Sequence, residues 1–282
     1  MENKILVLSA TGNVGKPLVD MLLKNFVDVK AASRSGKSIT FSIRTAEGVC
    51  FDFSKPETYE NAFEGVNSVY MMLPADLSRN AKVLIPLIDI AVKRDIKIVL
   101  QSSIHALIDA HDPYVAVENY LKKSTEKYVI LRPTWFMDNF HIFWADDIKS
   151  KVFNLPVKDG KTAFVDIRDL VYSAAKALYK DNYNGKEYNI TGEVALSYKE
   201  AISIIGEKLG SEIHFNSVSE ADYIKQMTDA GMPEQAARFF TSALAEVDKG
   251  VLADVYDGVR QITGNTPRTL EVYIHEHRRK FY

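Results

Sequence analysis

Short apolar runs alternate with amphipathic stretches along the first half of the chain. The runs include ILVL at residues 5–8, VYMM at 69–72 and IKIVL at 96–100. Such runs are mostly continuous, as in parallel strands that helices cover on both faces. The intervening stretches, such as 80–94 and 114–124, have helical spacing. This pattern predicts an α/β fold with a doubly wound parallel sheet, of the Rossmann type.

The regular alternation of apolar runs and amphipathic stretches ends after Pro133. A looser segment at 151–165 contains proline and glycine, helical patterns follow at 166–179 and 197–210, and a short strand is predicted near 186–191. We therefore expect a nucleotide-binding domain over residues 1–150, with its sheet completed by parts of 151–192. The remainder, 151–282, is expected to be mainly a smaller, discontinuous α+β lobe.

The first turn has the sequence SATGNVGK at residues 9–16. Dinucleotide-binding folds place the pyrophosphate at the N-terminus of the first helix, where glycines let the backbone approach it. Gly12 and Gly15 have the expected spacing, and Gly15 suits a close helix-to-strand contact. Ser9 stands where the tight turn usually has a glycine. A strand–turn–helix without any ligand remains the alternative.

The end of the second predicted strand bears on which cofactor is bound. Arg34 and Lys37 are present, and no acidic residue lies between Val29 and Lys37 to bind a ribose hydroxyl. This composition favours NADP(H) over NAD(H), although a solvated basic loop is the alternative. Asp52 is able either to accept from an adenine amino group or to form a turn.

Several ordered segments, at 49–74, 130–140 and 165–178, together with the turn and Arg34, resemble the NmrA-like atypical short-chain dehydrogenase/reductases. The resemblance is strongest to bacterial NAD(P)H quinone reductases and triphenylmethane-dye reductases, and it covers almost the whole chain. That family has GATGNVG at the turn, so Ser9 departs from its pattern.

The resemblance implies a set of contacts. It assigns the diphosphate to Thr11, Gly12, Asn13 and Val14 beside Ser9, the 2′-phosphate to Arg34, the adenine to Asp52 and Phe53, and the ribose to Leu73 and Pro74. It assigns the nicotinamide surroundings to Ser102, Ser103, Pro133, Thr134, Trp135 and Phe136, and the acceptor to Trp135, Phe136, Asn139 and Phe140. The aromatic residues Trp135, Phe136 and Phe140 are equally suited to filling the seam expected between the two lobes.

Ordinary short-chain dehydrogenases use Tyr-x-x-x-Lys, whereas this chain has Tyr114 and Glu118 at the corresponding place. Lowering a tyrosine pKa from ~10 to ~7 requires about 4 kcal/mol, and a carboxylate opposes it. Tyr114 and Glu118 are therefore only candidate catalytic residues. Glu118 is equally suited to a helical salt bridge with Lys122. Alcohol-dehydrogenase and sugar-epimerase mechanisms are disfavoured.

Composition and sequence pattern argue against a nucleic-acid-binding protein, a membrane-spanning protein and a metalloprotein. The net charge is −2 and lysine and arginine are spread throughout the chain, so no phosphate-neutralising surface and no nucleic-acid partner are expected. No apolar segment is long enough for a membrane span, and we expect a cytoplasmic protein. Cys50 is expected to be a buried, inert thiol. No metal site is expected, because His105, Asp109, His111 and Asp112 lie in an irregular polar loop without a ligand pattern.

Together these features predict an NADP(H)-dependent reductase, with 151–282 as its substrate-binding lobe and a small conjugated acceptor such as a quinone. A non-catalytic redox sensor that binds the cofactor and a protein partner is the alternative, and a nucleotide-sugar epimerase is a third. A homodimer is compatible with either leading hypothesis.

Overall fold

A computed structural model describes residues 4–41 and 44–282. The strands within these residues are β1 Lys4–Val7, β2 Asp28–Ser33, β3 Ile39–Thr40, β4 Thr45–Cys50, β5 Ser68–Met71, β6 Lys97–Gln101, β7 Tyr128–Pro133, β8 Val152–Leu155, β9 Lys161–Thr162, β10 Lys186–Ile190, β11 Leu196–Ser197 and β12 His214–Ser217.

The α-helices within the same residues are α1 Gly15–Lys24, α2 Tyr59–Ala62, α3 Ile85–Lys93, α4 Pro113–Ser124, α5 Asn139–Ile142, α6 Ala145–Ser150, α7 Ile167–Tyr179, α8 Tyr198–Leu209, α9 Glu220–Asp229, α10 Glu234–Ala245, α11 Gly258–Thr263 and α12 Leu270–His277. Segments of 3₁₀ helix within the same residues are Pro56–Thr58, Ala75–Leu84, Ile104–Leu107, Asp181–Tyr183, Val247–Lys249 and Arg278–Phe281. The second of them is interrupted by non-helical backbone at Asn80. None of these described helices combines the length and apolar character needed to cross a bilayer.

The chain divides into two compact units. Unit 1 comprises Met1–Pro133, Arg168–Ile190 and Gly258–Asn265, and unit 2 comprises Thr134–Ile167, Thr191–Asp257 and Thr266–Tyr282. The units are thus interleaved along the chain. The roles assigned to the two parts from the sequence remain predictions.

Unit 1 contains an eight-stranded sheet with the order β10-β7-β6-β5-β1-β2-β4-β3. Every neighbouring pair is parallel except β3 and β4. This topology confirms the predicted doubly wound α/β fold. After β1 the chain adds strands on one side of the sheet, and from β5 onward it adds them on the other. The order therefore reverses between β1 and β5, where ligands of such sheets usually bind.

The core of unit 1 explains why the apolar runs form strands. All residues of β5 and of β7 are buried. Leu87, Ile88 and Ala91 of α3, with Val117 and Leu121 of α4, are fully buried in the same core. Strands that are covered in this way have no polar face, so they lack the alternation of a half-exposed strand.

Unit 2 has its own core and two small strand pairs, β11 with β9 and β12 with β8. Helix α8 begins with a capping box between Ser197 and Glu200 and ends at Gly210, whose φ of +73° is the left-handed conformation. Both features satisfy backbone groups that a helix end leaves unpaired. The helix therefore ends where the sequence pattern predicts.

Cys50 differs from expectation. It is the last residue of β4 and is exposed, with its Sγ 3.6 Å from the carbonyl oxygen of Arg34. The prediction of a buried core thiol was wrong, because the last residue of a strand leaves the covered part of the sheet.

Candidate functional site

Unit 1 has a cleft of about 500 Å³ at the carboxyl ends of β1, β2, β4 and β5. It lies beside the position where the strand order reverses. Five residues that the sequence assigns to a cofactor line it: Ser9, Arg34, Asp52, Phe53 and Pro74. Topology alone brings them together, because the carboxyl ends of parallel strands share one edge of the sheet. Sequence reasoning missed the apolar lining residues Leu77 and Val83, which come from a helical stretch with no motif.

The turn after β1 has an unusual backbone. Ser9 adopts a φ of +52°, a conformation that L-residues with a side chain rarely take. Its carbonyl oxygen accepts from the Gly12 N–H at 2.9 Å. A Cβ on Gly15 would lie 2.2 Å from that same oxygen, so only glycine lets α1 start so close to the turn. Ser9 thus occupies the glycine position at the cost of a strained backbone.

The amino end of α1 is open to an anion. No side chain of the described residues caps it, and its first turn contains no acidic residue. Its first N–H groups and the positive end of the helix dipole therefore lack an acceptor from any described side chain, and the Lys16 N–H donates to the carbonyl oxygen of Gly12 at 3.0 Å. The Ser9 hydroxyl is also buried, and it has no hydrogen-bond partner within residues 4–41 and 44–282. Such a turn is suited to an oxygen-rich anionic group.

Arg34 follows β2 at the rim of the cleft and is exposed. Among the described residues, its guanidinium forms neither a hydrogen bond nor an ion pair. Its charge does act on Asp52 across the cleft. Two hydrogen bonds from Ser54 are the main cause that lowers the pKa of Asp52, and Arg34 adds to this effect.

Asp52 forms a turn, which was one of the two roles that the sequence allowed for it. Its Oδ1 accepts from the backbone N–H of Ser54 at 2.9 Å and from the Ser54 hydroxyl at 2.7 Å. Its Oδ2 has no hydrogen bond within the described part of the chain. The turn therefore orients the carboxylate without using all of its acceptors. Phe53 is half-buried beside it and packs edge-on against Phe51, with ring centroids 4.9 Å apart.

Tyr114 belongs to the core of unit 1. The side chain is 8% exposed, and its hydroxyl lies against the backbone N–H of Leu73, the buried residue before Pro74. Burial, with Asp112 contributing, raises the pKa of Tyr114 well above its ordinary value. The phenol stays protonated at neutral pH, as the absence of the usual lysine predicts.

Glu118 forms a buried cluster with Ser102 and Arg132, which are 4%, 4% and 5% exposed respectively. The Glu118 carboxylate accepts from Arg132 Nε at 2.8 Å, from Arg132 Nη2 at 2.5 Å and from the Ser102 hydroxyl at 2.5 Å. The suggested salt bridge of Glu118 with Lys122 is wrong, since Lys122 pairs with Glu187 at 3.1 Å. Arg132 also binds Glu187.

Sequence reasoning missed Arg132, although a signal was present. It is an arginine within a strand whose residues are all buried, and a buried guanidinium requires a partner. Ser103 has a local role, since its hydroxyl accepts from the His105 N–H at 3.2 Å and caps a short 3₁₀ helix. Among the described residues, the loop that follows belongs to no group of three candidate metal ligands.

The remaining assigned residues begin at Pro133, the last residue of β7, and continue into unit 2. Thr134 is buried, and its hydroxyl has no hydrogen-bond partner in the described part of the chain. Trp135 is half-buried, and its ring lies 6.1 Å from that of Phe240. Phe136 forms an isolated bridge with Val165.

Asn139 begins α5, and Phe140 is the next residue. The Phe140 ring has no exposed surface and packs against the rings of Trp144, Phe164 and Tyr198. The expectation that Phe140 contacts an acceptor is therefore corrected. An aromatic ring enclosed by other rings fills the core of unit 2 and presents no face to a ligand.

The sheet order and the glycine-containing turn define unit 1 as a Rossmann-like fold. Residues 1–273 match the NmrA-like family, and the chain belongs to it. The chain is 28% identical to Prestalk A differentiation protein A of Dictyostelium discoideum, over 96% of this chain and 91% of that protein. It is 27% identical to the NAD(P)H azoreductase of Xenophilus azovorans, over 98% of this chain and 99% of that protein.

A solved structure of similar fold is the NADPH-dependent quinone oxidoreductase of Escherichia coli in complex with NADPH. Its TM-score is 0.83 at 20% identity, covering 97% of this chain and 99% of that chain. At this identity the likeness supports the fold, and function must be argued from the site.

Proposed function

We propose that this protein is an NADPH-dependent oxidoreductase that passes a hydride to a small conjugated acceptor such as a quinone. The observation that carries the proposal is the cleft of unit 1, which is lined both by Ser9, from the turn that leads into the uncapped α1, and by Arg34, whose guanidinium has no partner among the described residues. A relative of similar length is named an NAD(P)H azoreductase, which agrees with this chemistry.

The residues present fit an adenine dinucleotide. The diphosphate would be held by the turn from Thr11 to Val14, with a further contact from the buried Ser9 hydroxyl, which has no partner among the described residues. Arg34 would bind the 2′-phosphate, for which a guanidinium is well shaped. The adenine would lie among the apolar residues of the cleft, with Phe53 beside it and the free Oδ2 of Asp52 as acceptor.

Other residues are assigned to the cofactor by the family resemblance. Pro74 would contact the ribose beside Leu73. Ser102, Ser103, Pro133 and Thr134 would lie near the nicotinamide. Since Ser102 already donates to Glu118, we assign it to holding the end of β6 in place more than to binding.

The nicotinamide, when bound, supplies the hydride. The protein must then orient the acceptor and exclude water, and we assign this role to the half-buried Trp135 and Phe136 with Asn139. Reduction of a quinone leaves an anion delocalised over its ring, which water can protonate. Tyr114 is therefore not required as a proton donor, in agreement with its raised pKa.

The test is a comparison of NADPH and NADH binding by calorimetry. A charge-assisted contact with the 2′-phosphate should favour NADPH by roughly 10- to 100-fold. Arg34→Asp should erase or invert this preference. Lys37→Asp is the matched control, because Lys37 is an exposed cation of the same loop that does not line the cleft, and it should keep most of the preference. Equal affinities of the unmodified protein for the two cofactors would refute the assignment of Arg34.

A second candidate is a non-catalytic sensor that binds NADP(H) and signals to a protein partner. Unit 1 favours it in one respect, since the phenol of Tyr114 is buried and the carboxylate of Glu118 is fully engaged. The same observation disfavours an epimerase, which needs an active tyrosine. Multiple-turnover oxidation of NADPH with a panel of quinones supports the reductase, and tight NADPH binding without turnover supports the sensor.

A further inference from the structure

Unit 2 contains a cavity of about 280 Å³ that no sequence motif indicates. Its aromatic wall is formed by Phe143, Trp144 and Phe240, whose ring centroids lie 5.2 to 6.1 Å apart. Met227 and Met232 complete the apolar lining. Phe143 is 54% exposed and Met232 is 37% exposed, so the cavity is reached from solvent. Methionine side chains adapt well to aromatic ligands of different shapes.

The acidic groups of the cavity differ in their surroundings. Asp146 is fully exposed and lies 3.6 Å from Lys149. Asp147 is half-buried, and its carboxylate has no hydrogen bond or ion pair with any described residue. No lysine, arginine or histidine occurs among the described residues that line the cavity.

Both aspartates lie in the first turn of α6, where the helix dipole favours a negative charge. The dipole explains the presence of an acid there, but it does not require one to be half-buried in the lining of an aromatic cavity. Burial, with Asp146 contributing, raises the pKa of Asp147. The folded chain therefore keeps a poorly solvated carboxylate at an apolar cavity, and a cation in the cavity would remove that cost.

We propose that this cavity binds a small aromatic cation, with Asp147 as its counter-charge. The aromatic faces add cation–π attraction, which is strongest where water is excluded. The volume is at the lower end of ligand pockets, which suits one or two fused rings. This inference concerns binding in unit 2 alone and does not depend on hydride transfer or on a bound nucleotide.

Calorimetric titration of the full chain with 1-methylquinolinium tests the proposal. Quinoline is the neutral control, measured at a pH where it is uncharged. We expect the cation to bind more tightly than quinoline. Asp147→Asn should weaken cation binding by about tenfold or more. Asp146→Asn, the exposed neighbour, should change it by less than about twofold.

Nuclear magnetic resonance locates the bound probe. The chain has two tryptophans, Trp135 and Trp144, so a ¹⁵N-labelled sample gives two indole signals, which a Trp135→Phe variant assigns. The Trp144 indole N–H donates to the Tyr223 hydroxyl at 3.2 Å, and its signal should shift on titration. Absent binding at millimolar probe, equal affinities for cation and quinoline, equal effects of the two aspartate variants, or an unmoved Trp144 signal would each overturn the proposal.

Discussion

Replacing Glu118 by glutamine removes one charge from the buried cluster of unit 1 while keeping the shape of the side chain. The carboxylate accepts three hydrogen bonds, two from Arg132 and one from Ser102. A glutamine has a single acceptor oxygen, and its amide nitrogen must then face a donor. At least one buried donor is left unpaired, and Arg132 loses its main counter-charge.

The size of the expected loss in the free energy of unfolding depends on the ion pairs that Arg132 keeps. Removing one partner of a buried ion pair costs about 3–5 kcal/mol. Arg132 retains Glu187, whose side chain is 31% exposed, so part of its charge stays compensated. We therefore expect a loss near the lower end, about 3 kcal/mol in the free energy of unfolding.

Urea unfolding followed by far-ultraviolet circular dichroism measures this loss. Circular dichroism is used because both tryptophans, Trp135 and Trp144, belong to unit 2, whereas the cluster lies in unit 1. The matched control is Asp20→Asn, which disrupts a more exposed pair with Lys24 on α1 and should cost at most about 0.5 kcal/mol.

An equal loss of unfolding free energy in the Glu118→Gln and Asp20→Asn variants would refute the reasoning, because burial would then add nothing to the stabilisation by the ion pair. A changed slope of free energy against urea would show that the substitution altered the unfolded or native ensemble, so equal slopes are the required control.

Three further predictions concern the turn, the phenol and a histidine. Gly15→Ala should lower the melting temperature, because its Cβ would lie 2.2 Å from the backbone oxygen of Ser9. A Cβ at Gly12 would lie 3.3 Å from that oxygen, a tight contact that needs a much smaller shift, so Gly12→Ala should lower the melting temperature less; equal melting temperatures of the two variants would contradict this. Tyr114→Phe should slow quinone reduction by less than about tenfold, and a loss of about a thousandfold with intact NADPH binding would make Tyr114 a proton donor. Burial, with Lys280 and His277 contributing, lowers the pKa of His141 from 6.5 to about 4. The folded state then binds fewer protons than the unfolded chain between these values, so stability should fall as the pH drops from 6.5 towards 4, and a His141→Gln variant with an unchanged pH slope would exclude His141 as the cause.

The order of apolar runs and helical stretches determined the doubly wound sheet. This is possible because helix and strand periodicity is local, and because a buried parallel strand needs an unbroken apolar sequence. The turn at residues 9–16 was recognisable for the same reason, since the requirement of Gly15 for close contact acts over only a few residues. Local spacing also predicted α8, which begins after its N-cap residue Ser197 and ends at Gly210.

Only the tertiary structure decided which side chains meet. Glu118 had Lys122 four residues away on its own helix, yet it pairs with Arg132 on β7, because the packing of α4 on the sheet turns the carboxylate inward. Cys50 is exposed because it ends its strand, and Phe140 is enclosed by rings from distant parts of unit 2. Contacts of this kind depend on strand register and helix rotation, which arise only when the whole core packs, so no local pattern carries them.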